Sequence, residues 1–217
     1  MVMSLRYKGW SLKCLDESNY LVPLILLIID EKFHSAGRVY KDSSRSFVQD
    51  FLYEGKRYIF KEFRKNKRYA STSFKNTDYW IRKGGKELVK IHALLERRLH
   101  GRLVAAFTFQ EYIEGTPGWN HIEEIVSLVK KLHKLGIHLG ECYPENFIMS
   151  ANGLRVIDTN AKKCWSPFNR GDDFAVLTRA LEIRNLPPKL AQVGGFAYTF
   201  SYFFIRLKES LGIHNVI

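Results

Sequence analysis

The segment from Gly140 to Asp158 constrains this chain more than any other. It reads Gly-Glu-Cys-Tyr-Pro-Glu-Asn-Phe over 140–147 and Gly-Leu-Arg-Val-Ile-Asp over 153–158. Glu141 stands five positions before Asn146, and Asp158 follows Asn146 by twelve, at the end of an apolar run. An ionised carboxylate there is costly unless a metal or hydrogen bonds satisfy it. A carboxylate and a carboxamide oxygen are hard donors of the kind that hold Mg²⁺. The other carboxylate, Glu141, sits on a loop stiffened by Pro144 and is placed to face an acceptor group.

The chain has 217 residues, enough for one large domain or two small lobes and for a core that needs no staples. Its formal charge is +12, from 34 basic and 22 acidic residues. Such an excess attracts an anionic partner: nucleic acid, an acidic membrane surface or a phosphorylated glycolipid. Part of the excess is a solvated face. No base-stacking motif supports nucleic acid, which ranks last. Cys14, Cys142 and Cys164 form neither a disulfide framework nor a zinc spacing, pointing to a reducing compartment. The longest apolar run, Leu21 to Ile29, holds Pro23 and is far short of the roughly 20 residues of a spanning helix. It reads as a buried strand or short core helix.

Along the chain, Arg38–Lys41 leads through a polar turn, Asp42–Ser46, into an alternating strand, Phe47–Tyr53. Glu54-Gly55-Lys56 turns it into the next strand, Arg57–Phe63. Arg64–Arg68 is a basic loop. From about Asp78 to Leu99 the period reads helical, with Leu88, Ile91, Leu94, Leu95 and Leu99 on one face. Leu103–Tyr112 is β-rich, and Gly115-Thr-Pro-Gly118 breaks the chain, giving lobes of 1–112 and 113–217. Asn120, with Glu123, is expected to cap a helix that Gly136 ends. A strand pair surrounds Asn152-Gly153, Asp172 or Asp173 caps another helix, and Phe196–Leu207 is expected as a buried closing helix. Strands with one helix, then mainly helices, give an α+β fold with the two-lobed layout of the protein kinases.

Lys61 lies inside a strand among Ile59, Phe60 and Phe63, where a lysine needs a partner or an edge. Phosphotransferases of the kinase fold use such a lysine, paired to a helix glutamate, to grip ATP phosphates. Glu87 is the expected partner. Ser43 and Ser44 stand in the glycine-free turn where a phosphate cradle belongs, and the turn reads equally as a plain surface turn. Glu111 and Ile113 lie in Gln110–Gly115, a hinge offering backbone groups to an adenine edge, or an edge strand ending in a turn. Asn146 and Asp158 are the metal candidates. Lys61, Glu141 and Asp158 are the catalytic ones. Asp173 either props the catalytic loop through backbone N–H groups or caps its helix. Cys142 is read as structural, and His133 and His138 as ordinary polar residues.

The chain resembles the bacterial lipopolysaccharide core heptose(II) kinases, a branch of the protein-kinase-like superfamily. The likeness lies in Tyr40–Ser44, Tyr53–Phe63, Gln110–Gly115, Gly140–Phe147, Ile157–Lys163 and Ile183–Asn185. It implies a cytoplasmic enzyme in peripheral contact with the anionic inner membrane. Such an enzyme moves the γ-phosphate of ATP to a sugar hydroxyl of the lipopolysaccharide inner core. By matching position Lys61 holds phosphates, Asn146 and Asp158 hold Mg²⁺, and Glu141 takes the place of the catalytic base. The family pattern has Asp at that place. The alternative is a nucleotide-binding pseudokinase or scaffold. The basic clusters Arg64–Arg68, Lys130–Lys134 and Lys162–Lys163 suit an acidic glycolipid.

Overall fold

The computed structural model describes residues 2–30, 37–158, 161–184 and 195–211. The chain forms two compact units: Met1–Tyr79 with Val89–Tyr112, and Trp80–Leu88 with Ile113–Ile217.

The first unit is a seven-stranded antiparallel sheet. Its elements are β1 (Val2–Tyr7), β2 (Trp10–Leu15), α1 (Val22–Ile29), β3 (Val39–Asp42), β4 (Ser46–Tyr53), β5 (Lys56–Phe63), α2 (Arg68–Arg82), β6 (Ile91–Leu99) and β7 (Arg102–Glu111). The strand order is β1-β2-β6-β7-β5-β4-β3. The hairpins follow the turn chemistry. Glu54 and Gly55 both adopt positive φ between β4 and β5, and Lys8 and Gly9 do so between β1 and β2. The apolar run resolves as a helix, with Leu21, Leu24 and Ile25 of its segment fully buried. They join Leu12, Phe51, Tyr58, Leu95 and Phe109 in one core cluster. A second cluster gathers Phe63, Ala70, Phe74, Leu94 and Ala106.

Two expectations fail here for identifiable reasons. The helix expected over Asp78–Leu99 lies earlier, at Arg68–Arg82, and residues 91–99 form strand β6. From Ile91 to Glu96 every residue of β6 is buried. A central strand covered on both faces loses its two-residue alternation and mimics a helical stripe. The buried stripe of α2 is Ala70, Ser73, Phe74, Thr77 and Trp80. Its small polar members hide the periodicity.

The second unit comprises β8 (Thr116–Pro117), α3 (Ile122–Lys134), β9 (Ile137–His138), β10 (Phe147–Ser150), β11 (Gly153–Val156), β12 (Lys162–Lys163), α4 (Pro167–Ile183) and α5 (Gly195–Ser210). Ile125, Val126, Val129 and Leu132 of α3 form its buried stripe, packed with Leu88, Phe147, Val156, Phe174, Leu177 and Leu181. The N-cap of α3 is His121 rather than Asn120, and no side chain caps it. α4 starts at Ser166, whose capping partner is Asn169, so Asp172 and Asp173 lie inside the helix. α5 is helical as expected but buries none of its described residues, and Phe196, Phe200, Phe203 and Phe204 are exposed.

α4 and α5 approach closely at Gly171. A Cβ there would meet the carbonyl of Ala197 at 2.5 Å and the Tyr198 nitrogen at 2.7 Å, both backbone. Gly171→Ala is therefore expected to destabilise by about 1–3 kcal/mol, as overpacking does, despite alanine's better helix propensity. The denaturant midpoint measures it, and an unchanged midpoint would show that the helices re-space freely.

His92 of β6 is buried, with Nδ1 2.8 Å from the Ser18 hydroxyl. Burial first, and then the Lys90 charge, push its pKa from 6.5 down to about 4. The unfolded chain takes up this proton as pH falls below 6.5, and the folded chain does not. Stability contributed by neutral His92 is thus full above pH 6.5 and is lost on going down to pH 4, by about 3 kcal/mol in all. His92→Gln should flatten the melting temperature against pH within that window, relative to the unsubstituted chain.

Candidate active site

The second unit builds its site around one buried acid. Asp173 is 0% exposed on α4. Its Oδ2 accepts the Leu139 N–H at 3.0 Å, and its Oδ1 the Gly140 N–H at 2.8 Å. Nε2 of His133, on α3, lies 2.9 Å from Oδ2. The carboxylate thus fixes the two residues before Glu141. Gly140 turns the chain at φ +76°, a left-handed conformation natural to glycine. His138 places Nε2 3.4 Å from both Asp172 Oδ2 and Asp173 Oδ1. Burial works against its charged form, but the Asp172 and Asp173 carboxylates outweigh burial and raise its pKa.

Beyond Gly140 the loop is tied to itself. The Glu141 carbonyl accepts the Tyr143 N–H and the Asn146 Nδ2–H, each at 2.9 Å. A short 3₁₀ turn, Pro144–Asn146, leads into β10. β10 pairs with β11 in register Phe147↔Val156 to Ser150↔Gly153. The Ile157 N–H then donates to the Asn146 carbonyl at 2.7 Å. This bond ties the residue before Asp158 to the backbone of Asn146 at the end of the strand pair. Because the amide N–H₂ of Asn146 points at Glu141, its Oδ1 is left as an oxygen donor. Asp158 holds φ +51°, rare outside glycine and more tolerable for Asp than for most residues.

One carboxylate and one carboxamide oxygen fit Mg²⁺, which keeps several waters and takes phosphate oxygens for the rest of its shell. No group of three or more His, Cys, Asp or Glu side chains suited to a metal occurs among the described residues, so a softer all-protein site has no ligands there.

Cys142 is fully buried. Burial, followed by the charges of Asp173 and Asp172, pushes its thiol well above the usual range and leaves it no nucleophilic role.

In the first unit Lys61 is 7% exposed, in register with Val48 of β4 and Thr108 of β7. Its Nζ lies 5.0 Å from the Phe63 ring centre. The Ser43 hydroxyl is committed to its own turn: it donates to the Ser46 carbonyl at 3.1 Å and accepts the Arg45 and Ser46 N–H groups. Ser44 is exposed at the turn. Arg64 staples the same turn, donating to Asp42 Oδ1 at 2.6 Å and the Ser43 carbonyl at 2.9 Å. Glu111 closes β7. Its N–H donates to the Lys90 carbonyl at 2.9 Å. Ile113 begins the chain's return into the second unit.

Glu87 is not on a helix. It precedes Leu88, which bridges Val156, and its carbonyl accepts the Val156 N–H at 2.8 Å. Its Oε1 pairs with Lys131 of α3, while Oε2 is buried without a hydrogen bond among the described residues. The carboxylate on α2 is Asp78. Sequence pattern conceals it, because the apolar periodicity places the helix too late. His133 is concealed as well: a histidine in a helical stripe carries no mark of its acid partner 40 positions away.

Residues 45–200 match the family described as Lipopolysaccharide core biosynthesis protein (WaaY). The chain is 28% identical over 207 residues to the Escherichia coli protein Lipopolysaccharide core heptose(II) kinase WaaY, covering 85% of this chain and 88% of that one. The solved structure of WaaP in complex with acyl carrier protein matches with a TM-score of 0.55 at 18% identity, over 92% of this chain and 94% of that chain. That likeness is one of fold, and the α+β, protein-kinase-like organisation expected from the sequence stands. The family match takes in Lys61, the Gly140–Asn146 loop, Asp158 and Asp173, and the chain that carries this site belongs to the lipopolysaccharide core biosynthesis protein (WaaY) family.

Proposed function

We propose that the chain is an ATP-dependent kinase that phosphorylates a heptose hydroxyl of the lipopolysaccharide inner core. The observation that carries this reading is the Ile157 N–H bond to the Asn146 carbonyl, which ties the residue before Asp158 to Asn146, with Glu141 held five residues upstream. The kinship with the Escherichia coli heptose(II) kinase supports the acceptor class.

Lys61 holds the ATP phosphates, with Asp78, the α2 carboxylate, as the partner in place of Glu87. Ser44 and backbone N–H groups of its turn are the cradle, and the backbone of Glu111 and Ile113 meets the adenine edge. Asn146 and Asp158 hold Mg²⁺, which when bound neutralises charge on the transferred phosphoryl group. Glu141 orients the acceptor hydroxyl and accepts its proton late. Contact with the membrane is peripheral, on the cytoplasmic face. No described helix is long and apolar enough to cross a membrane. The Ser43 hydroxyl spent in its turn, together with glutamate at position 141, favours a second reading, a nucleotide-binding protein with little turnover.

Transfer of labelled γ-phosphate from Mg-ATP to purified inner-core lipopolysaccharide lacking phosphate tests the reading, with Asp158→Ala as the blank. Label that disappears in the blank establishes the kinase. Mg-ATP binding with no label points to the second reading. Asp173→Asn should lower kcat by about 10²-fold through misplacement of Glu141, with the KM for ATP changed far less. It should also cost about 1–3 kcal/mol of stability, because an amide presents an N–H₂ to donors that need an acceptor. An equal fall in ATP affinity would contradict this account of Asp173.

A further inference from the structure

β5 leaves the sheet at Phe63 into the loop before α2, and β6 turns into β7 at His100 and Gly101. Between loop and hairpin lies a cavity of about 560 Å³. Lys65, Lys67, Arg68, Arg98 and Arg102 line it, with Tyr69, and no carboxylate does. Arg64, next in the chain, is neutralised twice, by Asp42 and Glu62. Among the described residues no ion pair neutralises any of the five cavity cations.

Two of them are aimed rather than loose. Lys67 Nζ donates to the Arg64 carbonyl at 2.6 Å, and Arg98 Nη1 to the Gly101 carbonyl at 3.3 Å. Carbonyls orient a cation without cancelling its charge. α2 starts at Arg68 with no acid in its first turn, so the positive end of its dipole adds to the same field. Five like charges around one concavity repel each other, and a compact polyanion relieves the repulsion. Three arginines add planar donor pairs that match phosphate oxygens.

We infer that this cavity is a second anion site that takes a phosphate monoester or diphosphate group. None of its lining residues belongs to the nucleotide or metal set. The inference does not rest on the phosphotransfer reading, although a phosphorylated glycolipid would be one carrier of such a group. A phospholipid headgroup and a free phosphate compound are the others.

Inorganic pyrophosphate is titrated into the full chain in the presence of saturating Mg-ADP, which occupies any nucleotide site. The Arg68→Gln/Arg102→Gln variant should bind it about 10²-fold more weakly, roughly tenfold for each guanidinium removed. A Lys130→Gln/Lys134→Gln variant removes equal charge from α3 and should bind as the unsubstituted chain does. Both pairs of residues are exposed, so melting temperatures should stay close. Equal weakening in the two variants would reduce the effect to general electrostatics and overturn the site, as would full binding by the arginine variant. With the site established, deacylated phosphorylated inner-core saccharide and phosphatidylglycerol vesicles separate the carriers. Loss of one in the arginine variant alone identifies the source, and loss of neither identifies a free phosphate compound. Because every arm reads binding, failed phosphate transfer leaves this result standing, and the reverse.

Discussion

The carboxylate of Asp173 is the interaction on which the second unit's site depends. A charge with no exposure to water is tolerated only when its acceptor sites are filled. Two backbone N–H groups and a histidine fill them here, drawn from the α3–β10 connection and from α3 itself. The cost of leaving that charge unsatisfied is what holds Leu139 and Gly140 in one conformation. Glu141 inherits its position from them. Packing alone would not achieve this, because Gly140 has no side chain to pack and Glu141 is only half-buried.

A second dependence runs through bonds to main-chain carbonyls. The Glu141 carbonyl gathers Tyr143 and Asn146, and the Asn146 carbonyl gathers Ile157. Glu141 is thereby tied to Asn146, and Asn146 to the residue before Asp158. The hairpin β10–β11 provides the frame, and its turn at Asn152-Gly153 needs the positive φ that Gly153 supplies, +97°. The left-handed Asp158 is the one irregular backbone position among the three. Strain of this kind persists where neighbours over-determine it, and the Ile157 bond is one such neighbour.

Features with local causes were legible in the sequence. Hairpins at Glu54-Gly55 and Asn152-Gly153 are written in turn chemistry, and the stripe of α3 in its periodicity. The acid–amide–acid spacing marked the candidate loop and strand end. What could not be read depends on burial set by distant elements. Strand β6 is covered on both faces and therefore carries no alternation. α2 buries Ser73 and Thr77, which no apolar pattern marks. The sequence leaves Asp173 two roles, helix cap or prop for the loop's backbone N–H groups, and only the fold selects the second, because its N–H donors lie more than 30 positions upstream. The aromatic residues of α5 suggested a core, yet Phe196 and Phe203 face outward. Glu87 reads as an early residue of the helix after the basic loop, but that helix ends at Arg82.

Glutamate at 141 is best judged against this framework. The backbone on both sides of it is pinned, by Asp173 before and by the Tyr143 and Asn146 bonds after. The extra methylene cannot be absorbed by shifting the main chain without breaking those bonds. It must be taken up in the side-chain torsions, which bring the carboxylate back toward the position an aspartate would reach or leave it about one bond further out. On the proposed role of Glu141, a displacement on the order of 1 Å would act on orientation of the acceptor, which matters in the transition state more than in binding. On the proposed roles, glutamate at 141 would touch the rate of the chemical step and leave Lys61, Asn146 and Asp158 as they are.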